Sequence, residues 1–171
     1  MKIRYRLLAP AVAVVLLTNV LAGTASASQT TARPIKAPPA VQVTPDGTVV
    51  FTAVERGATS ITPNAIIVCS VHPQVPRVAS PEVVATAFTS CNHGVALIGM
   101  TITLIHVNNW WVTKVFESDP GADSLFAVAG KICLPDVYRT KVFTQVYFPI
   151  DYIPPSASRT DYSEYVRITQ C

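Results

Sequence analysis

The sequence predicts an all-β fold, an antiparallel Ig-like β-sandwich of about seven or eight strands. Short segments rich in β-branched and aromatic residues follow one another from residue 49 onward, separated by turn-forming Pro, Asn, Asp and Gly residues. None of these segments has the apolar period of a helix. Short strands joined by turns favour antiparallel sheets over βαβ units. The predicted strands lie at 49–54, 65–71, 82–91, 94–107, 110–117, 125–130, 136–148 and 165–170.

The first 27 residues have the organisation of a secretory signal peptide. Lys2, Arg4 and Arg6 precede an apolar segment, and Ala-Ser-Ala at 25–27 supplies the small residues that signal peptidase requires. A membrane anchor is the alternative, but Pro10, Thr18 and Asn19 interrupt the segment, which falls short of the roughly 20 apolar residues that a span needs. We therefore expect a secreted, extracellular protein with no membrane span after signal removal.

Residues 28–48 and 49–171 differ sharply in composition. The first stretch contains Pro34, Pro38, Pro39 and Pro45 and few large apolar side chains, which is typical of an extended linker. The second is long enough for one domain with one hydrophobic core. We therefore predict a signal peptide at 1–27, a Pro-rich linker at 28–48 and a β-sandwich domain at 49–171.

The predicted mature chain has no net charge. Three of the 13 basic residues precede the predicted cleavage site, which leaves 10 basic and 10 acidic residues. This balance gives no indication of nucleic acid or an anionic surface as the partner.

Residues 94–107 form the longest apolar segment after the signal and are the best candidate for a central strand. Their β-branched side chains disfavour a helix. The alternation of a strand places Ile98, Met100, Ile102 and Leu104 on one face and Thr101, Thr103, Ile105 and Val107 on the other. Asn108-Asn109 then tolerates the positive φ of a tight turn, so the following segment WWVTKVFE completes a hairpin.

The register of this hairpin predicts a binding face. A turn at Asn108-Asn109 pairs residue 107 with residue 110, so Trp111 lies opposite His106 on the core face. Trp110 points to the opposite face, where an exposed indole can contact a sugar ring or a partner protein. The alternative is that the linker or the loop around residue 152 covers this indole. The predicted ligand-binding residues are Trp110, Val112, Lys114 and Phe116.

Four cysteines in an exported chain predict two disulfide bonds, for which three pairings are possible. The segments that hold Cys69 and Cys91 can fold back on each other about Pro81. A bond between Cys133 and Cys171 would fix the last strand, and we favour these two pairs. A four-thiolate zinc site is the alternative, but the sequence has no Cys-x-x-Cys pair.

Two groups of residues raise the question of a metal site, and each supplies too few ligands. If the first two cysteines pair, His72 and His93 lie about 16 Å apart along the sheet, too far for one zinc ion. Glu117, Asp119 and Asp123 supply three carboxylates, fewer than the roughly six to eight oxygens that calcium takes. Calcium at this acidic loop stays open as an alternative, and otherwise we expect no metal.

No catalytic constellation is evident, so we expect neither enzyme activity nor a cofactor. No serine lies in a Gly-x-Ser-x-Gly context, and two disulfides leave no cysteine as a nucleophile. A nucleotide site would need a glycine-rich turn between a strand and a helix, which the sequence lacks.

Motifs within residues 66–171 resemble those of small secreted actinobacterial β-domain proteins, most of which have no assigned function. The resemblance rests on Ile67-Val68-Cys69 followed by His72-Pro73, on AFTSC at 87–91, on Phe148-Pro149 leading to YIPPSAS at 152–158, and on Cys171 as the final residue. This chain has Asp151 where such proteins often carry a glycine before the tyrosine. The resemblance implies a two-disulfide β-sandwich and no active site.

Two classes of function remain. The first is a non-enzymatic binding or structural module that recognises an envelope glycan or another protein, and this is our prediction. The second is a hydrolase or protease inhibitor acting through its loops, for which the proline-rich loop at 72–81 is the candidate inhibitory segment. A binding module requires an exposed aromatic patch, whereas an enzyme requires a pocket lined by titratable residues.

Overall fold

The computed structural model describes residues 39–58, 65–108 and 111–171, without the side chains of Trp111 and Val112. These ranges contain only strands, turns and loops, which confirms the all-β prediction. Among the described residues, no helix is long and apolar enough to cross a bilayer. The strands are β1 (Val41–Val43), β2 (Val49–Glu55), β3 (Ile66–Pro73), β4 (Arg77–Ala79), β5 (Glu82–Cys91), β6 (Leu97–His106), β7 (Trp111–Pro120), β8 (Ser124–Ile132), β9 (Asp136–Tyr147), β10 (Tyr152–Ile153), β11 (Ser156–Tyr162) and β12 (Val166–Ile168).

The strands form two antiparallel sheets. The seven-stranded sheet has the order β1-β2-β3-β5-β4, with β10 also paired to β2 and β8 also paired to β5. The five-stranded sheet has the order β11-β9-β6-β7, with β12 also paired to β9. All strand pairs among the described residues are antiparallel.

Each predicted strand corresponds to an observed one, and the structure adds four that the sequence did not indicate. These are β1, β4, β10 and β11. The first three contain only two or three residues, and β11 reads SASRTDY, in which Thr160 and Tyr162 are the only β-branched or aromatic residues. Strand β1 lies within the predicted linker, so the sheet begins at Val41, before the predicted start of the domain at residue 49.

The predicted central strand is β6, which lies between β9 and β7 in the five-stranded sheet. Its inner face is buried, with Ile98, Met100 and Ile102 fully enclosed. The hairpin register is also the predicted one, because His106 pairs with Trp111 and Ile102 pairs with Val115. The tip of this hairpin at 109–110 lies outside the described residues.

The two sheets enclose one hydrophobic core. The seven-stranded sheet contributes Phe51, Ile67 and Val83, and the five-stranded sheet contributes the inner face of β6 together with Val142 and Val146. A polar contact also crosses the core, since the Thr89 hydroxyl donates to the sulfur of Met100 at 3.1 Å. Burial of these aliphatic side chains is the main force that holds the sheets together.

Both predicted disulfide bonds are present. Cys69 and Cys91 are direct partners on β3 and β5, with Cα atoms 4.0 Å apart. Cys133 and Cys171 join the segment after β8 to the segment after β12, so this bond links the two sheets. All four cysteines are paired, and the bonds are typical of an oxidising, extracellular environment.

Candidate functional site

The outer face of the five-stranded sheet contains two of the residues predicted to bind ligand, Lys114 and Phe116. Strand pairing aligns them with residues from β6, β9 and β11 in two adjacent rows. We call this surface the Lys-Phe face and define it by Thr101, Thr103, Lys114, Phe116, Lys141, Phe143 and Thr160.

The first row places two phenylalanines on either side of a threonine. Thr101 pairs with Phe116 on one side and with Phe143 on the other. The two phenylalanine Cα positions are therefore about 10 Å apart, which is two strand spacings. Phe116 is 66% exposed and Phe143 is 39% exposed. The Phe116 ring also leans over Gly99, 3.6 Å from the position that a Cβ would occupy there.

The second row places two lysines on either side of another threonine. Thr103 pairs with Lys114 and with Lys141, and it is only 6% exposed between them. No carboxylate lies within ion-pair distance of either lysine in the described part of the chain. A depression of about 260 Å³ opens between the rows, lined by both lysines, Phe143, Thr101, Thr103 and Thr160.

Arg139 extends this cationic surface along β9. Its Nε donates to the Ser163 carbonyl at 2.9 Å, and a terminal guanidinium nitrogen donates to the Tyr165 hydroxyl at 3.1 Å. The guanidinium carbon lies 4.2 Å from the ring centroid of Tyr162 and 4.6 Å from that of Tyr165. These contacts hold Arg139 in place, and they favour the positive charge because aromatic faces attract cations. Lys141 approaches the same Tyr162 ring at 5.9 Å.

The charge on this side of the molecule is unbalanced. Among the described outward-pointing strand positions of the five-stranded sheet, four are cationic and none is acidic. The four are Lys114, Arg139, Lys141 and Arg167. The neutral total of the predicted mature chain therefore conceals a local positive surface, because composition averages over all faces of the molecule.

The structure places the predicted site residues as follows. Lys114 and Phe116 belong to the Lys-Phe face, and Val112 pairs with Ile105 along the same face without a described side chain. Trp110 lies outside the described residues, so its exposure and its role stay predictions. Lys141 and Phe143 were not predicted as site residues, although both occupy alternating positions of the strand predicted at 136–148.

In the described part of the chain, His72 contacts a serine but is not joined to a carboxylate as a triad requires. His72 Nε2 lies 3.0 Å from the Ser70 hydroxyl on the outer face of the seven-stranded sheet. No carboxylate lies within ion-pair distance of His72 among the described residues, so the carboxylate that would orient this imidazole is missing. The ring instead stacks on Phe88, with centroids 4.6 Å apart.

A second histidine pairs with a carboxylate at the end of the five-stranded sheet. His106 Nε2 lies 2.8 Å from Oδ2 of Asp136, and both side chains are buried. Burial by itself would raise the pKa of Asp136. The hydrogen bond from the Val137 amide, the charge of His106 and the hydrogen bond from Asn108 outweigh burial and hold this pKa below its ordinary value. The pair thereby joins the end of β6 to the start of β9.

The structure also bears on the metal and inhibitor alternatives. In the described ranges, no three His, Cys, Asp or Glu side chains converge on a point that could hold a metal ion, and this holds for Glu117, Asp119 and Asp123. The candidate inhibitory loop contains β4, whose backbone pairs with β5 from Arg77 to Ala79. Gln74 also donates its amide hydrogen to the Thr86 carbonyl at 2.8 Å. Much of this segment is therefore held in the sheet.

Comparison with known proteins returns no match, whether to a protein-family model, to a curated protein or to a solved structure.

Proposed function

We propose that this chain is a secreted, non-enzymatic binding protein that recognises a glycan through the Lys-Phe face. Export is supported by the signal-like N-terminus and by two disulfide bonds, which are typical of extracellular domains. A binding role is supported by the exposed aromatic and cationic side chains that the Lys-Phe face brings together.

One observation carries this proposal. The exposed ring of Phe143 lines a depression whose other walls are threonines and lysines, and the exposed Phe116 occupies the position across Thr101 from it on the same face. Aromatic faces contact the C–H groups of a sugar ring, while hydroxyl and ammonium groups supply hydrogen bonds to its oxygens.

The alternative functions have weaker support. A hydrolase would need a carboxylate to orient His72, and an inhibitor would need a projecting loop where β4 pairs with β5. A protein partner would favour a broad, flat contact area of roughly 800 Å² per partner, whereas the depression on the Lys-Phe face has a volume of about 260 Å³ and six lining residues.

The proposal is tested by a glycan array probed with the protein lacking residues 1–27. We expect binding to a subset of glycans, with affinity reduced about tenfold or more when Phe116 and Phe143 are both changed to Ala. The matched control changes Phe88 and Phe126, two phenylalanines on the outer face of the other sheet, to Ala. Absence of any glycan ligand would refute the proposal, and equal losses in the two double variants would place the site elsewhere.

A further inference from the structure

We infer that the sugar bound at the Lys-Phe face is acidic and that its carboxylate lies between Lys114 and Lys141. This inference rests on the proposed function, since it names the class of glycan that the same depression accepts. The inference adds one prediction to the proposed function: the acidic form of a sugar should bind more tightly than its neutral form.

The charge of the two lysines favours an anionic group between them. Lys114 and Lys141 lie on either side of Thr103, about 10 Å apart at their Cα atoms, so their side chains can reach a common point between them. Neither has a carboxylate partner in the described residues, and Arg139 adds a third positive charge two positions along β9. Like charges on one surface raise its positive potential, and an anion bound between them relieves this repulsion.

The other side chains that line the depression match the hydroxyls and the apolar surface of a sugar acid. Thr101, Thr103 and Thr160 place three hydroxyl-bearing side chains around the depression, and Phe143 provides an apolar wall. A sugar acid matches this combination, because one ring carries a carboxylate, several hydroxyls and an apolar C–H surface. An acidic peptide supplies the carboxylate without the hydroxyls, and a neutral sugar supplies the hydroxyls without the charge.

The three cations of this surface differ in how they are held. Arg139 is held by Ser163 and Tyr165, whereas the ammonium groups of Lys114 and Lys141 form no hydrogen bond or ion pair with described residues. The lysines are thus the groups that can turn toward a ligand. Their ammonium groups act as point charges and do not require the planar, bidentate geometry that an arginine site favours.

The test compares oligosaccharides of galacturonate, glucuronate and mannuronate with their methyl esters, using calorimetry on the protein without residues 1–27. The ester keeps the ring and its hydroxyls, removes the charge and adds one methyl group. We expect at least one acid to bind about tenfold or more tightly than its ester, since hydrogen bonds to charged groups are among the strongest. Binding of the acid should also weaken as salt is raised.

Variants then locate the carboxylate. Changing both lysines to Gln should abolish the preference for the acid, and Lys114→Arg with Lys141→Arg should keep it. Arg77→Gln removes an exposed cation from the other sheet and should leave binding unchanged. Because both lysines point outward from strands, the variants should fold, which an unchanged urea midpoint would verify.

Each result decides a separate point. If acid and ester bind equally through the phenylalanines, the glycan proposal stands and the acidic inference is wrong. If hexaglutamate binds as tightly as the sugar acids, charge alone drives the interaction and the inference is again wrong. If none of the acids binds, the inference fails, and the array of neutral glycans judges the proposed function independently.

Discussion

The outer faces of the two sheets use similar residues to different effect. On the seven-stranded sheet, Phe88 pairs directly with Phe126, and His72 stacks on Phe88 with an interplanar angle of 18°. On the five-stranded sheet, Phe116 and Phe143 are separated by the intervening strand that carries Thr101. The first arrangement is a continuous aromatic row, whereas the second leaves a gap between two rings.

Charge separates the two faces as well. The described outward strand positions of the seven-stranded sheet include one cation, Arg77, and one carboxylate, Glu82, on paired strands. The Lys-Phe face has cations without carboxylates. Exposed aromatic side chains alone are common on protein surfaces. The candidate site is therefore distinguished by the separation of its two phenylalanines and by its uncompensated positive charge, and not by aromatic exposure.

The largest expected effect tests whether both faces depend on the common core. Ile102 is fully buried on β6, directly beneath the Lys-Phe face. Ile102→Ala should lower the free energy of unfolding by about 2–5 kcal/mol, because it removes buried methyl groups and leaves a cavity. The matched control is Thr101→Ala on the outer face, which should cost less than about 1 kcal/mol. Urea denaturation measures both, and similar losses would contradict the assignment of inner and outer faces.

The next effect tests how the two sheets are tied together. The Cys133–Cys171 bond closes a separation of 38 residues, and the Cys69–Cys91 bond closes one of 22. The loop-entropy relation values each at about 3–4 kcal/mol. Changing both Cys133 and Cys171 to Ala should lower stability by this amount, and hydrogen exchange should increase first in β12. Faster exchange in β3 and β5 instead would show that the bond acts on the other sheet.

Acid should loosen one end of the five-stranded sheet. Because the folded-state pKa of Asp136 lies below the ordinary 3.8, the folded protein binds fewer protons there than the unfolded chain. The stabilisation is present above this ordinary value and is lost as the pH falls through the lower folded-state pKa. Asp136→Asn should therefore be less stable than the parent near neutral pH, and the gap should narrow in strong acid.

Urea midpoints across this pH range measure the effect. Asp119→Asn provides the control, since this exposed residue lies on the edge strand β7. If the difference in urea midpoint between the parent protein and Asp136→Asn did not change with pH, the assigned role of the carboxylate would be contradicted.

The parts of the fold that could be predicted from sequence are the local ones. Alternation along residues 97–106 identified both faces of β6, and the Asn108-Asn109 turn gave the hairpin register, because adjacent strands are connected by only a few residues. The disulfide pairs also followed from strand placement. The short strands β1, β4 and β10 could not be predicted, since pairing with a distant partner stabilises them and not their own composition.

The candidate site was predicted only in part for the same reason. Lys114 and Phe116 lie on the hairpin and were predicted as site residues. Lys141 and Phe143 reach the face because β9 pairs with β6 across more than thirty intervening residues, and one sequence does not reveal that pairing. The uncompensated charge was hidden as well, since it exists only after these strands come together.

The smallest expected effect on stability gives the sharpest comparison of the two faces. Phe116 is 66% exposed and Phe126 is 59% exposed, and each occupies an outward position on its sheet. Because neither ring is buried in the core, Phe116→Ala and Phe126→Ala should each change the free energy of unfolding by less than about 1 kcal/mol. Their effects on glycan affinity should differ, since only Phe116 borders the gap beside Thr101. Parallel urea titrations and binding isotherms measure both quantities. If Phe126→Ala lost affinity and Phe116→Ala did not, the binding site would lie on the continuous aromatic row of the seven-stranded sheet.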